Sequence, residues 1–388
     1  MKPAEDFNFS RPRRLVEIWT LILCQLSRIE KQIRKHPVKM MNEQIFPSDM
    51  EPGAGWKRET PVVIFIFRRP ETTARVFKAV SEAKPKKLFI IADGPRESVA
   101  GEKELCRKTR EIVEKVNWDC EAARNYSEVN LGCNERMISG TDWVFDQVEE
   151  AIMLEDDDVP SPSFFRFCEE MLEKYRNVPS VSCVCGNIQA PMAERNRYSF
   201  SAYFLVHGRA MWKRSWREFS SIPNESLKKM FSGHDMVEAI NSTFQLEKTR
   251  RLARQMLRLF LRDRYVTWDW LWAFFCIKNK TLSVIPARNL ISNIGVGAGA
   301  QGAAHDLGLF SAHEPALDFI EFPLRHPSAV VRDEPYDRMH EQFCASSFEY
   351  SFVFALILWM KIIIPVSFHV GLKSYSTKVM TFFAKYYN

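Results

Sequence analysis

The sequence predicts an α/β protein: a mostly parallel sheet with helices on both faces. Two observations carry this. From residue 61 to residue 185, short apolar runs alternate with amphipathic stretches at helical spacing. Charged residues also collect just after several of the runs, at the carboxyl ends of the predicted strands, where open sheets of this class bind ligands.

The elements follow in order. Residues 61–67 (Pro-Val-Val-Ile-Phe-Ile-Phe) read as the first strand, and 71–82 as a helix. Residues 87–92 form a second strand, stopped by Asp93-Gly94-Pro95, a strong turn signal. A helix over 102–115 leads to a weaker strand near 120–124, and 134–149 is helical. The run Ala151-Ile152-Met153-Leu154 then enters Glu155-Asp156-Asp157-Asp158, with a helix over 164–175 and a strand over 181–185 beyond it. From about residue 195 the pattern becomes irregular and aromatic. A basic helix over 248–264 places Arg250, Arg254, Arg258 and Arg262 in line and leads into Trp268-Asp269-Trp270, the start of a helix running through Cys276. That basic face is either a solvated surface or a lid or acceptor-docking element.

The acid run is the most informative feature. Four adjacent carboxylates repel one another unless positive charge sits among them, and hard divalent cations prefer carboxylate oxygens. The competing reading is an acidic turn capping the helix that begins near Pro160-Ser161. Arg68, Arg69, Asp93 and the acids all fall at predicted strand ends, so they can share one crevice.

Composition narrows the field. At 388 residues, 46% hydrophobic and 26% charged, the chain matches a globular enzyme. A net charge of +6 is too modest for wholesale nucleic-acid binding. Nine cysteines form no repeated C-x-x-C pairs; Cys168, Cys183, Cys185 and Cys276 read as buried free thiols in a reducing compartment, and a zinc site is not expected.

Three regions are expected: an extension over 1–57, a main domain over 58–330 and a tail over 331–388. In the extension, Leu15, Ile18, Trp19, Ile22, Leu26, Ile29 and Ile33 form an amphipathic stripe flanked by arginines and lysines. The stripe either lies on an anionic membrane surface or packs on its own protein. Residues 352–370 are the best spanning candidate, but Lys361, Pro365 and His369 interrupt them. The expected location is therefore cytoplasmic, peripheral at the inner face of the cell membrane, with a single-pass anchor as the alternative.

Six segments in order carry a resemblance. They are residues 61–70 ending in Arg68-Arg69-Pro70, 91–96 around Asp93-Gly94-Pro95, Asn130-Leu131-Gly132-Cys133, 154–165 with the acid run, Trp268-Asp269-Trp270, and 290–295 ending in Asn293-Ile294-Gly295. Together they resemble glycosyltransferases of the GT-A, Rossmann-like fold, of the nucleotide-diphospho-sugar transferase superfamily. The likeness is to bacterial family-2-like members sharing features with the N-acetylglucosaminyltransferase I group. It implies a metal-dependent, inverting transferase that uses a nucleotide-diphosphate sugar, UDP-linked by expectation, and a glycan or lipid-linked acceptor. It also implies Mn²⁺ (or Mg²⁺) held by Asp157, with Asp156 facing the ribose, Asp93 the nucleobase, and Arg69 the base or diphosphate. Asp269 is implied as the catalytic base that takes the acceptor hydroxyl proton. His305 is implied as a metal or phosphate contact, and Asp158 as either a second ligand or an idle surface acid.

Two departures stand out. Arg68 replaces an asparagine of the family motif, and a Trp-Gly-Trp motif is reduced to His207-Gly208-Arg209. The second leaves open a catalytically inactive binding or scaffold protein at the membrane. A sugar-1-phosphate nucleotidylyltransferase fits less well, because Arg68-Arg69-Pro70-Glu71 stands where such enzymes need a glycine-rich phosphate loop.

Overall fold

The computed structural model describes residues 59–189, 191–264, 266–295 and 316–344. The extension over 1–57, His305, the 352–370 run and the tail beyond 344 therefore lie outside the described residues.

The first half alternates as expected: β1 (Val62–Ile66), α1 (Pro70–Ala83), β2 (Lys87–Ala92), α2 (Glu102–Val113), β3 (Glu121–Tyr126), α3 (Cys133–Phe145) and β4 (Glu150–Glu155). A short β5 (Asp158–Pro160) and α4 (Pro162–Tyr175) lead to β6 (Val181–Cys185). The second half holds β7 (Tyr198–Ser201), β8 (Arg209–Trp212), α5 (Lys213–Ser220), α6 (Asn224–Phe231), α7 (His234–Thr243), α8 (Glu247–Leu261), α9 (Trp268–Asn279), β9 (Leu282–Pro286), β10 (Ile291–Asn293) and α10 (Glu334–Cys344).

Proline starts two of these helices, α1 at Pro70 and α4 at Pro162, where its missing N–H costs nothing. Helix α1 ends on Lys84 in the left-handed region (φ 50°), and that residue's N–H donates to the Val80 carbonyl. The apolar face of α1, Val76, Phe77, Val80 and Ala83, is buried. Helix α3 is shorter than the sequence suggests: it ends at Phe145, where the Asp146 N–H closes the last turn on the Asp142 and Val144 carbonyls.

The main sheet has the order β3-β2-β1-β4-β8-β6-β9-β7. Strands β1 to β4 pair in parallel, as do β6 and β9, while β8 and β7 run antiparallel to their neighbours. The class is thus α/β, with a mixed sheet. The antiparallel strands come from the stretch after residue 195 that showed no period. Strands β7 and β8 are short, and β7 (Tyr-Ser-Phe-Ser) mixes hydroxyls with aromatics, so neither forms an apolar run.

Both faces are covered, and β1 shows how. Val63 and Phe65 join a cluster with Met137 and Val144 of α3 and much of α5 to α9. Val62, Ile64 and Ile66 join the opposite cluster with Val76 and Val80 of α1 and Phe164 and Phe167 of α4. Successive side chains of a strand point to opposite faces, so a strand buried on both sides must be apolar throughout.

This topology creates one crevice. Chain order runs from β1 outward to β2 and β3, then returns to place β4 on the other side of β1. The carboxyl ends of β1 and β4 flank that switch point, which is where open sheets of this kind bind ligands.

Candidate functional site

The acid run sits at the switch point. Phe65 of β1 pairs with Glu155 of β4, so the residues following each strand emerge side by side. The Phe67 N–H donates to Asp156 Oδ2 at 3.2 Å. Arg69, just before α1, straddles the next two acids. One guanidinium nitrogen donates to Asp157 Oδ2 at 2.8 Å and the other to Asp156 Oδ1. Burial works against the Arg69 charge, but the two carboxylates outweigh it and hold that charge firmly. Burial pushes the Asp156 carboxyl up to about 6 against the pull of Arg69.

Asp158 takes another course. It is fully buried, so the surface-acid alternative does not hold. Its Oδ2 accepts from the N–H groups of Glu155 (3.1 Å) and Gly208 (2.9 Å), and its Oδ1 from Asn293 Nδ2 (3.3 Å), with His207 Nδ1 also 3.3 Å away. Burial alone would raise this carboxyl; the bonds from His207 and the two backbone N–H groups bring it below its ordinary value. A carboxylate has about four lone-pair sites, and these contacts use them.

Glu155 is the most open of the four, its side chain 25% exposed. Burial and the Asp158 charge push it up to about 7, against Arg209. Arg209, only 1% exposed, reaches Glu155 Oε1 at 3.4 Å and lies over the Trp268 ring with its guanidinium carbon 4.6 Å from the centroid. The register explains this reach. Arg209 pairs with Met153 across the antiparallel β4–β8 ladder, and Glu155 shares a face with Met153.

The positive charge that four adjacent acids need is therefore supplied by the chain itself, from Arg69 and Arg209, with His207 in hydrogen-bond reach of Asp158. The reduced motif His207-Gly208-Arg209 is the partner of the acid run. Sequence reasoning passed over His207 and Arg209 because their roles depend on β8 lying beside β4, which no local pattern announces.

The last motif closes the crevice floor. Strand β10 pairs with β5, Asn293 opposite Asp158, and the Ile294 N–H donates to the Asp157 carbonyl at 2.8 Å. A Cβ on Gly295 would fall 1.8 Å from Asp157 Oδ2 and 2.8 Å from an Arg69 nitrogen, so a side chain there would have to push that ion pair aside.

Asp93 joins two other motifs. Its carboxylate accepts from the N–H groups of Gly94 (2.8 Å), Leu131 (2.9 Å) and Gly132 (3.1 Å) and from Asn130 Nδ2 (2.9 Å). It thereby ties the turn after β2 to the loop entering α3. A Cβ on Gly94 would meet the Val129 backbone at 2.4 Å, which explains the glycine. Arg68 is not an idle surface arginine: with Arg96 it pairs the buried Glu102, whose carboxyl Arg96 pulls below its ordinary value.

Asp269 stands in the first turn of α9, half-buried. Asn134 of α3 fixes that turn, accepting from the Trp268 N–H (2.8 Å) and donating to the Val266 carbonyl (2.7 Å). The Arg209 guanidinium over the Trp268 ring sets the start of α9 next to the Arg209–Glu155 pair. Trp268 is buried among Phe204, Trp216 and Arg209, and Trp270 is half-buried against Phe274.

Among the described residues no group of three or more His, Cys, Asp or Glu side chains converges to hold a metal. A divalent cation fits only as Mg²⁺ or Mn²⁺ often bind, on one or two carboxylates with phosphate and water completing the shell. Cys168, Cys183, Cys185 and Cys276 are free and buried, as expected, and so is Cys106. No described helix is long and apolar enough to cross a membrane.

No family model and no curated protein matches the chain. Among solved structures it is similar to a mannosyltransferase from Pyrobaculum calidifontis in complex with GDP-Man and Mn²⁺, at 11% identity and TM-score 0.32, over 60% of this chain and 73% of that one. It is also similar to a UDP-glucose pyrophosphorylase complexed with UDP-glucose, at 10% identity and TM-score 0.29, over 59% and 90% of the two chains. A third is the 4-diphosphocytidyl-2C-methyl-D-erythritol synthase of Anaerococcus prevotii, at 12% identity and TM-score 0.23, over 54% and 87%. Likeness at these scores carries nothing about activity.

Proposed function

We propose that the chain is a metal-dependent, inverting glycosyltransferase that takes a sugar from a nucleotide-diphosphate donor, UDP-linked by preference, to a glycan or lipid-linked acceptor. The observation that carries this reading is the meeting of Arg69 with Asp156 and Asp157 at the β1/β4 switch point. Asp269 on the neighbouring α9 turn supports it.

In this reading Asp157 holds Mn²⁺ or Mg²⁺ and Asp156 faces the ribose. The metal, when bound, neutralises charge developing on the departing diphosphate. Arg69, already bridging the two acids, adds its positive charge beside the same phosphates. Asp93 orders the loop over 130–132 beside the base-binding edge, and Asp158, its acceptor sites filled, holds the turn rather than a metal. Asp269 takes the acceptor hydroxyl proton, a role typically worth ~10²–10⁴-fold in rate.

The test is UDP release from a panel of UDP-sugars with Mn²⁺. Asp269→Asn is expected to lose turnover by about that factor while keeping Mn²⁺-dependent UDP binding. Asp157→Ala is expected to lose the binding itself. Wild-type turnover in both variants rejects the assignment.

A second reading, a binding protein without turnover, draws on one observation: Arg69 is paired to both acids and Asp93 spends its carboxylate inside the fold. Metal-dependent UDP binding with no release across a broad donor and acceptor panel would favour it.

A further inference from the structure

Helix α8 carries a basic face that differs from the one its sequence spacing suggests. Arg250 donates to the Phe244 carbonyl, and Arg254 bonds Asn241 and Glu247, so both are turned to the protein. The solvent side, opposite Ala253, Leu257 and Phe260, presents Lys248, Arg251, Gln255 and Arg258 at alternating spacings of three and four, a single stripe along the helix. The three basic residues are exposed, while Leu252, Ala253, Leu257 and Phe260 anchor the helix in the core. Among the described residues, Lys248, Arg251 and Arg258 pair with no acid. The nearby acids are already engaged, Glu247 with Arg254 and Asp263 with Lys228.

We propose that this stripe of α8 docks the protein on an anionic phospholipid surface. Charge complementarity is the first argument: a straight row of unneutralised cations on one helix face suits a flat sheet of negative headgroups, each such residue contributing about 1 kcal/mol near the surface. The second is where the remaining chain departs. Glu341 of α10 accepts from the N–H groups of Gln245 (2.8 Å) and Leu246 (2.6 Å) at the start of α8. Residues 345–388 follow directly from α10, and their sequence pairs apolar runs, Phe352 to Met360 and Ile362 to Ile364, with Lys361, Lys373, Lys378 and Lys385. An apolar and lysine-bearing segment in the same chain as a cationic face, following a helix bonded to the start of α8, is the composition of a lipid interface, whereas a nucleic-acid partner would have no use for the apolar runs. The proposal stands apart from the transferase reading and survives its failure.

The experiment is co-sedimentation of the full chain with vesicles of phosphatidylcholine alone and with about 30% phosphatidylserine, at low and high salt. The wild type should bind the anionic vesicles in a salt-sensitive way. The variant Lys248→Gln/Arg251→Gln/Arg258→Gln should lose roughly a hundredfold in partition, as three surface cations at about 1 kcal/mol each require. The control variant Lys103→Gln/Lys108→Gln/Lys115→Gln, on and just after α2, changes net charge equally and should retain binding; thermal melts of both variants separate a docking defect from misfolding. No wild-type binding, equal loss in both variants, or an unchanged α8 variant would overturn the proposal. So would an α8 variant that keeps its vesicle partition while losing affinity for a labelled RNA.

Discussion

Arg69 and Gly295 form the most sensitive contact in the site. A methyl group at 295 would overlap the Asp157 carboxylate, so Gly295→Ala must part Arg69 from Asp157 or shift the backbone. The expected cost is about 1–3 kcal/mol of stability, with a larger proportional loss of Mn²⁺-dependent UDP binding; denaturant melts and a binding titration on the same variant check both. His340 offers a second residue-scale prediction. It is buried against the Tyr203 ring, and that burial lowers its pKa to about 4. The unfolded chain then binds a proton that the folded one refuses between the ordinary histidine value near 6.5 and about 4. The stability from neutral His340 is complete above that window and falls as pH falls through it, by up to about 1.4 kcal/mol per pH unit. Urea midpoints at pH 7 and pH 5 should show this drop, and His340→Gln should flatten it.

Among the elements, α8 is anchored from a distance. The two residues before it, Gln245 and Leu246, donate their N–H groups to the buried Glu341 of α10, which fixes how the chain enters the helix. Glu341→Ala should cost about 1–3 kcal/mol, read from urea unfolding, and Glu341→Gln should recover part of it. The turn into β8 is equally particular. Gly208 has φ +56°, and a Cβ there would lie 2.3 Å from Ile291 of β10. Gly208→Ala should therefore destabilise by roughly 2 kcal/mol or more and disturb Asp158, to which Gly208 donates. Much of this element scale was legible beforehand. The first-half strands and helices announced themselves because each is a continuous apolar run or a regular stripe. The weak spots were β7 and β8, short strands without a run, and the basic face of α8. Spacing alone put Arg250 and Arg254 on that face; the structure turns both toward Phe244 and Asn241, because where the helix packs decides which residues point outward.

Across the whole molecule, the sheet brings together residues from β1, β4, β8, β10 and α9, the first and last strands more than two hundred positions apart. If the crevice binds a nucleotide-diphosphate sugar, the melting temperature should rise with UDP and Mn²⁺ together, by an amount growing with ligand concentration over its dissociation constant. UDP without metal should shift it less, and Asp157→Ala should abolish the difference between the two conditions.

The sequence by itself determined the α/β class, the strand ends where charged residues gather, and the pairing of Arg69 and Asp157 with one crevice. Each of these rests on local periodicity or on the rule that ligands meet parallel sheets at their carboxyl ends. Only the tertiary structure decided which charge answers which acid. Arg69 takes Asp156 and Asp157, Arg209 takes Glu155, and His207 helps bury Asp158. Those assignments follow from β8 lying antiparallel beside β4 and from β10 lying beside β5, long-range pairings whose register no single segment encodes.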